Sequence, residues 1–436
     1  MRITIVAEEE VCRYEPANNG AGPLWCHGSS IIARHDERVF ITALQTLPDA
    51  RPLLNCQWEL HARVDGAWRR VHRDTKDRTR EPSPLVLLDD GQLLVSTNPT
   101  RTKPDDYAGP AHPQVERFDT RDLAAAPQTL EPVWDGQPRF SEHSYRTFTT
   151  DRATGDALLI NEVGHAGAHW SLRERAGAWA HHGFITFPWG ATYPKPEPIR
   201  LCYPNVVLRN RAVHYLGVSD IIEPYPGWRA MKKQITGRDW DYDFRRLFYA
   251  HTPDITAQPL DNWTEIATRD NTCGWIQHGD LYVSDRDDVH MLWTERSTDE
   301  RLRDIYFKST KLTHTLYHAV RRGGSEVGRV ALAVGGEGAD DAIPGMTRLH
   351  VDADGRMYAV APFLLPDGTR ELRIAPLAAE GGLAGTWQTV PLAHRPSLYL
   401  AATPRSGTAP SEHLDLAFIV SQPHHAMRYA HLRIEP

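Results

Sequence analysis

The chain has 436 residues, 41% of them hydrophobic and 24% charged, with a formal net charge of −7. That balance excludes an intrinsically disordered chain. The acidic excess argues against a nucleic-acid binder, which needs a basic surface to displace counterions from phosphates. No apolar run approaches the ~20 residues that cross a bilayer, and five cysteines without a CxxC pair speak against a disulfide framework or zinc finger.

The first element is a short apolar alternation, Arg2-Ile3-Thr4-Ile5-Val6, that turns acidic at Glu8. It is too short for an export leader, which predicts a cytoplasmic protein, and it reads as a lone strand. From there one pattern recurs. Polar turns at 35–38, 89–92, 154–156, 209–211, 285–288, 352–356 and 407–413 each lead into an apolar run. Another strand-like run precedes each turn, such as 30–33 or 84–88. Third runs stand at 56–62, 169–173, 246–250 and 304–308. Trp68, Trp179, Trp263 and Trp387 announce short fourth strands.

Hairpin signals repeated seven times, about 63 residues apart, predict an all-β fold: a seven-bladed β-propeller of four-stranded antiparallel blades. The last unit ends at 427–434, counted as its third strand, so the N-terminal strand completes that blade and closes the ring. The whole chain, 1–436, then reads as a single domain. The stretch 222–244 reads as an irregular aromatic and basic insertion in blade four. The glycine-rich run 323–338 reads as a surface loop, and the pairs His181-His182 and His424-His425 as surface features of connections.

In a propeller the first strand of each blade lines the central channel. Aligned on their turns, the seven first strands begin with His27, Glu81, His143, Tyr203, His278, Gly345 and Arg395. Two positions on, along the same strand face, stand Ser29, Ser83, Tyr145, Asn205, Asp280, Thr347 and Ser397, all polar. Arg80, Arg146, Arg200 and Arg348 lie beside this rim in sequence. A polar ring over an apolar base suits a carbohydrate or an acid; a water-filled channel would also be polar without chemistry. Neutral imidazoles of His27, His143 and His278 could hold zinc near the axis, but they belong to alternate blades, and no metal ligands are assigned. Asp285, Asp287 and Asp288 fit a calcium loop less well than an Asp-rich hairpin turn. No cofactor is required by the pattern, and a structural calcium is not readable from it. GxSxG, GxxxxGK and a strand-borne GxGxxG are all missing.

Two segments carry a resemblance. Residues 18–30, Asn-Asn-Gly-Ala-Gly-Pro-Leu-Trp-Cys-His-Gly-Ser-Ser, and residues 141–146, Ser-Glu-His-Ser-Tyr-Arg, resemble BNR-repeat-like seven-bladed propellers, the group with ulvan lyases, rhamnose-glucuronate lyases and a propeller α-L-rhamnosidase. Intact Asp-box repeats (SxDxGxTW) and a sialidase arginine triad are not found. The resemblance implies a uronate-containing oligosaccharide as partner, with no nucleic acid and no membrane, and a monomer or small homo-oligomer.

Elementary chemistry agrees. β-Elimination at a uronate needs a group that neutralises the carboxylate, a base for the C5 proton and an acid for the departing O4. Arginine, histidine and tyrosine suit these roles. His27, His143 and Tyr203 are the catalytic candidates. Glu81, Tyr145, Arg146, Arg200, Asn205, His278, Arg348 and Arg395 are the substrate-binding candidates. Two alternatives stay open. One is a histidine-dependent, rhamnosidase-like hydrolase, or one using the ring carboxylates Glu81 and Asp280. The other is a non-catalytic sugar- or protein-binding propeller that uses Trp25, Tyr193, Trp228, Trp240 and Tyr242 for stacking.

Overall fold

The computed structural model describes residues 1–25, 27–339, 342–397, 400–402 and 406–436. Seven antiparallel sheets follow one another along the chain and form a seven-bladed β-propeller. Six blades span residues 32–73, 85–130, 147–186, 201–268, 275–336 and 343–390. The seventh is built from Leu400–Ala402, His413–Val420 and Ala426–Glu435, with β1 (Arg2–Arg13) as its outer strand. Its register runs from Arg2 opposite Glu435 to Arg13 opposite Ala426, so the expected closure holds over a longer strand than residues 2–6.

The second strands are buried at nearly every position because each blade is covered on both faces by its neighbours. In blade three, Leu158 and Ile160 face blade four, where they meet Val206, Leu208 and Tyr215. Leu159 faces the other way, onto Val86 and Leu94 of blade two. Equivalent clusters fill the remaining interfaces, including the one between blades seven and one, where Met427 and Tyr429 meet Ile32 and Ile41. The core is thus a ring of inter-blade layers, and the first strands touch one another around the axis.

Four expectations fail locally. Residues 304–308 are not the third strand of blade five. They belong to a connection carrying α2 (Glu300–Tyr306), whose N-cap Asp299 accepts the Arg301 amide at 2.9 Å. The third strand is Thr313–Arg322. The glycine-rich run is not a loop: Ser325–Gly336 is the fourth strand. The insertion in blade four contains α1 (Pro226–Thr236), with proline in its first turn and Gly237 in the left-handed conformation at its end. His181 and His182 also lie inside a strand, Trp179–Thr186, rather than in a connection.

Both helices sit on the face where the first strands begin. Buried charges hold α1 there. Lys232 Nζ lies 2.8 Å from Glu223, and Glu223 takes two bonds from Arg245, at 2.9 and 3.0 Å. Arg301 of α2 reaches Asp241 at 2.8 Å, and Trp228 packs edge-on against Phe307.

Candidate functional site

Two inner strands enter the channel through backbone kinks. Tyr145 has φ 39° and Tyr203 φ 50°, a left-handed conformation that bulky residues avoid at a cost of about 1–3 kcal/mol. Tyr203 lies in a bulge, since pairing with the next strand skips between Cys202 and Asn205. Blade five repeats the irregularity between His278 and Asp280.

The kinks are held by close approaches. A Cβ on Gly28 would sit 1.9 Å from the Tyr203 carbonyl oxygen, and one on Gly279 would sit 2.5 Å from that of Thr347. The His278 ring donates from Nε2 to the Tyr203 carbonyl. Gly28→Ala is therefore expected to destabilise the protein by about 1–3 kcal/mol. This would be read as a lower denaturant midpoint at unchanged slope.

The kinks bring four rings into one file. His27 stacks on Tyr203 with centroids 4.3 Å apart, Tyr203 meets Tyr145 at 4.8 Å, and Tyr145 meets His143 at 4.3 Å. At the His27 end the rings open into a cavity of about 290 Å³. Trp25, Phe244, Trp275 and His278 complete its walls. Phe244 and Trp275 had no signal in the aligned first strands. Phe244 arrives from the far end of the α1 insertion, and Trp275 opens the first strand of blade five, ahead of His278.

The protonation states are complementary. Burial, helped by the nearby His278 and Arg348, pushes the His27 pKa down to about 3, so its ring is neutral. Its Nδ1 lies 3.0 Å from the Leu24 carbonyl, and an N–H is needed there. Nε2 is then the basic nitrogen. Burial pushes the phenols of Tyr145 and Tyr203 well above their usual value, so both keep their protons.

At the other end, His143 Nδ1 lies 3.0 Å from Glu81 and 2.5 Å from Arg80. As N–H it faces the carboxylate, and as a lone pair it accepts from the guanidinium. Burial opposes ionisation of Glu81, but His143, Arg80 and Arg146 outweigh it and bring the carboxyl to about 2. Arg200 is buried under this end. It donates to Asp220 at 2.6 Å and lies over the Tyr145 ring at 5.6 Å. Glu162, buried in the same region, is pushed well above the carboxylate range by its desolvation.

Other candidates point elsewhere. Arg146 donates to the Pro82 carbonyl at 2.8 Å and to Ser144. Arg348 spans the channel, donating to the carbonyls of Gly279 and Leu400, each at 2.8 Å, and to that of His27. Asn205 reaches the Gly279 carbonyl at 3.4 Å. These three tie inner strands together, as does Asp280, which accepts the amides of Leu281 and Leu349 at 2.9 Å each. Arg395 is outside the ring file, exposed at a neighbouring cavity. Among the described residues no three His, Cys, Asp or Glu side chains gather as metal ligands. Asp285 and Asp287 sit at the hairpin turn, facing Arg209.

No protein-family model matches the chain, and no curated protein sequence matches it. Solved structures do. A polysaccharide lyase of family PL25, an ulvan lyase determined bound to -[GlcA(1-4)Rha3S]-, aligns with a TM-score of 0.58. The match covers 98% of this chain and 95% of that one, at 10% identity. The polysaccharide lyase Uly1 aligns with a TM-score of 0.54, over 93% of this chain and 89% of its own, at 11% identity. The chain has the fold of these lyases. At such identity the likeness is one of architecture, and the chemistry rests on the residues above.

Proposed function

We propose that the protein is a polysaccharide lyase that cleaves a glycosidic bond to a uronic acid by β-elimination. The observation that carries this reading is the His27–Tyr203 stack, a neutral imidazole against a protonated phenol at the rim of a cavity. His27 Nε2 takes the C5 proton. The C5–H electrons form the C4–C5 double bond, and the C4–O4 bond breaks. The Tyr203 hydroxyl gives its proton to O4, the phenolate takes one back from solvent through the adjoining Tyr145 hydroxyl, and His27 releases the C5 proton to solvent.

Arg146, Arg200 and Arg348 are buried and engaged within the protein, and Arg80, half-buried at the His143 end of the file, donates to the Asn19 carbonyl at 3.2 Å and faces His143. Burial is the main cause that holds His27 neutral; a substrate carboxylate beside it adds a negative charge that favours the imidazolium, so His27 becomes a stronger base when substrate is bound. The architecture shared with the ulvan lyases supports a sugar polymer or oligomer as substrate.

Incubation with glucuronate–rhamnose oligosaccharides is expected to yield a product with the ultraviolet absorption of an unsaturated uronate, and no solvent oxygen at the new reducing end. Cleavage that incorporates labelled oxygen from water without that absorption would make the protein a hydrolase instead.

A further inference from the structure

We propose that a second cavity on the same face, walled by blades six, seven and one, is a subsite for an anionic sugar unit, with Arg370 and Arg395 gripping its carboxylate or sulfate. This rests on the uronate-oligosaccharide reading of the first cavity.

The His27 cavity, at about 290 Å³, is at the lower limit of ligand sites, which run from about 300 to 1,000 Å³. An oligosaccharide seated there must continue outside it. The second cavity is about 600 Å³ and shares Gly22 and Ile419 with the first, so the two are separated by a common wall. Its walls combine apolar surface from Pro16, Pro23, Leu44 and Val420 with the Tyr14 ring, which lies 5.8 Å from that of His425. Such a surface meets the C–H face of a pyranose.

Two cations stand over it. Arg370 and Arg395 both line the cavity and are exposed. Among the described residues neither makes a hydrogen bond or an ion pair, in contrast to Arg373, which is paired with Glu371 on the same strand. The neighbouring carboxylates are Glu15, on the cavity wall, Glu8, which holds the Ala393 and His394 amides, Glu371, which is paired with Arg373, and Asp367, which feels the Arg395 charge without pairing to it. In a chain of net charge −7, two uncommitted guanidinium forks at one cavity are suited to a planar carboxylate or a sulfate.

The test is calorimetric binding of glucuronate–rhamnose oligosaccharides of increasing length to the parent chain and to Arg370→Ala, Arg395→Ala and the double variant. All four are made in a His27→Ala background so that nothing is cleaved. Each arginine removed is expected to weaken the longer ligands about tenfold and to leave the shortest ligand unaffected. Carboxyl-reduced and desulfated ligands then tell which anion is held, because the difference between parent and double variant vanishes when that anion is absent.

Equal binding of long oligosaccharides by parent and double variant overturns the proposal. So does a loss that is the same for every length and for neutral ligands. If the His27-intact protein forms no unsaturated product but the length-dependent loss persists, the subsite stands and the lyase reading fails.

Discussion

His27→Ala is expected to lower kcat on a uronate oligosaccharide by about 10²–10⁴-fold, the range general-base catalysis supplies. Binding should change by far less, because the walls of Trp25, Phe244 and Trp275 remain. Stopped-time measurement of unsaturated product, paired with calorimetric affinity, separates the two effects. Tyr203→Phe is the companion. It keeps the ring stack and the bulge but removes the proton for O4, so kcat should fall with little change in thermal midpoint. Turnover left intact in His27→Ala would remove the imidazole from the mechanism. Because the His27 pKa in the free protein is about 3, kcat/KM should show no acid limb near 6.5 from this residue.

Acid should instead act on the fold. Besides His27, the protein buries His214, with its pKa pushed down to about 3, and His290, His318, His350 and His431, each pushed down to about 4, all by desolvation first. Three of these sit in two imidazole pairs, His290 Nδ1 3.1 Å from His318 Nε2 and His431 Nε2 2.9 Å from His413 Nδ1. Each pair needs one nitrogen unprotonated.

The sign follows from proton counts. Between about pH 6.5 and 4 the unfolded chain binds protons at these sites and the folded chain does not. Stability therefore falls as pH falls through that window and is flat above it. Each such histidine removes about 1.4 kcal/mol per pH unit. Against a total of about 5–15 kcal/mol, several together are enough to unfold the protein. Cooperative loss of near-ultraviolet circular dichroism is expected between about pH 6 and 4, with activity lost in step. Retention of native signal and full stability at pH 4 would mean that these rings are not held neutral.

The blades were legible because each carries its own polar turn, and turn chemistry is local. Errors came where local signals conflict. The alternation in Ile305-Tyr306-Phe307-Lys308 resembles a strand, but Asp299 caps a helix just before it, with Leu302 and Tyr306 one turn apart. In Ser325–Gly336, the alternation of Val330, Leu332 and Val334 was masked by the flanking glycines.

The site was legible to the same depth. Aligning first strands found His27, Tyr203, Tyr145 and His143, because position along a strand is set by its turn. It did not choose among the arginines: Arg80 lies beside His143, while Arg146 and Arg348 tie inner strands together through backbone carbonyls. That choice depends on the bulges at Tyr203 and His278 and on what lies across the channel, and neither is written locally.

The closing strand imposes an order on assembly. β1 pairs with Ala426–Glu435 through two bulges, so it waits for a strand from the far end of the propeller's chain order. Until then blade seven lacks its outer strand, and residues 2–13 expose an unpaired edge. Blades one to six contain only strands close in sequence and can form as they emerge. The ring, and with it the arginine that crosses its channel to the His27 carbonyl, is completed in a single late step.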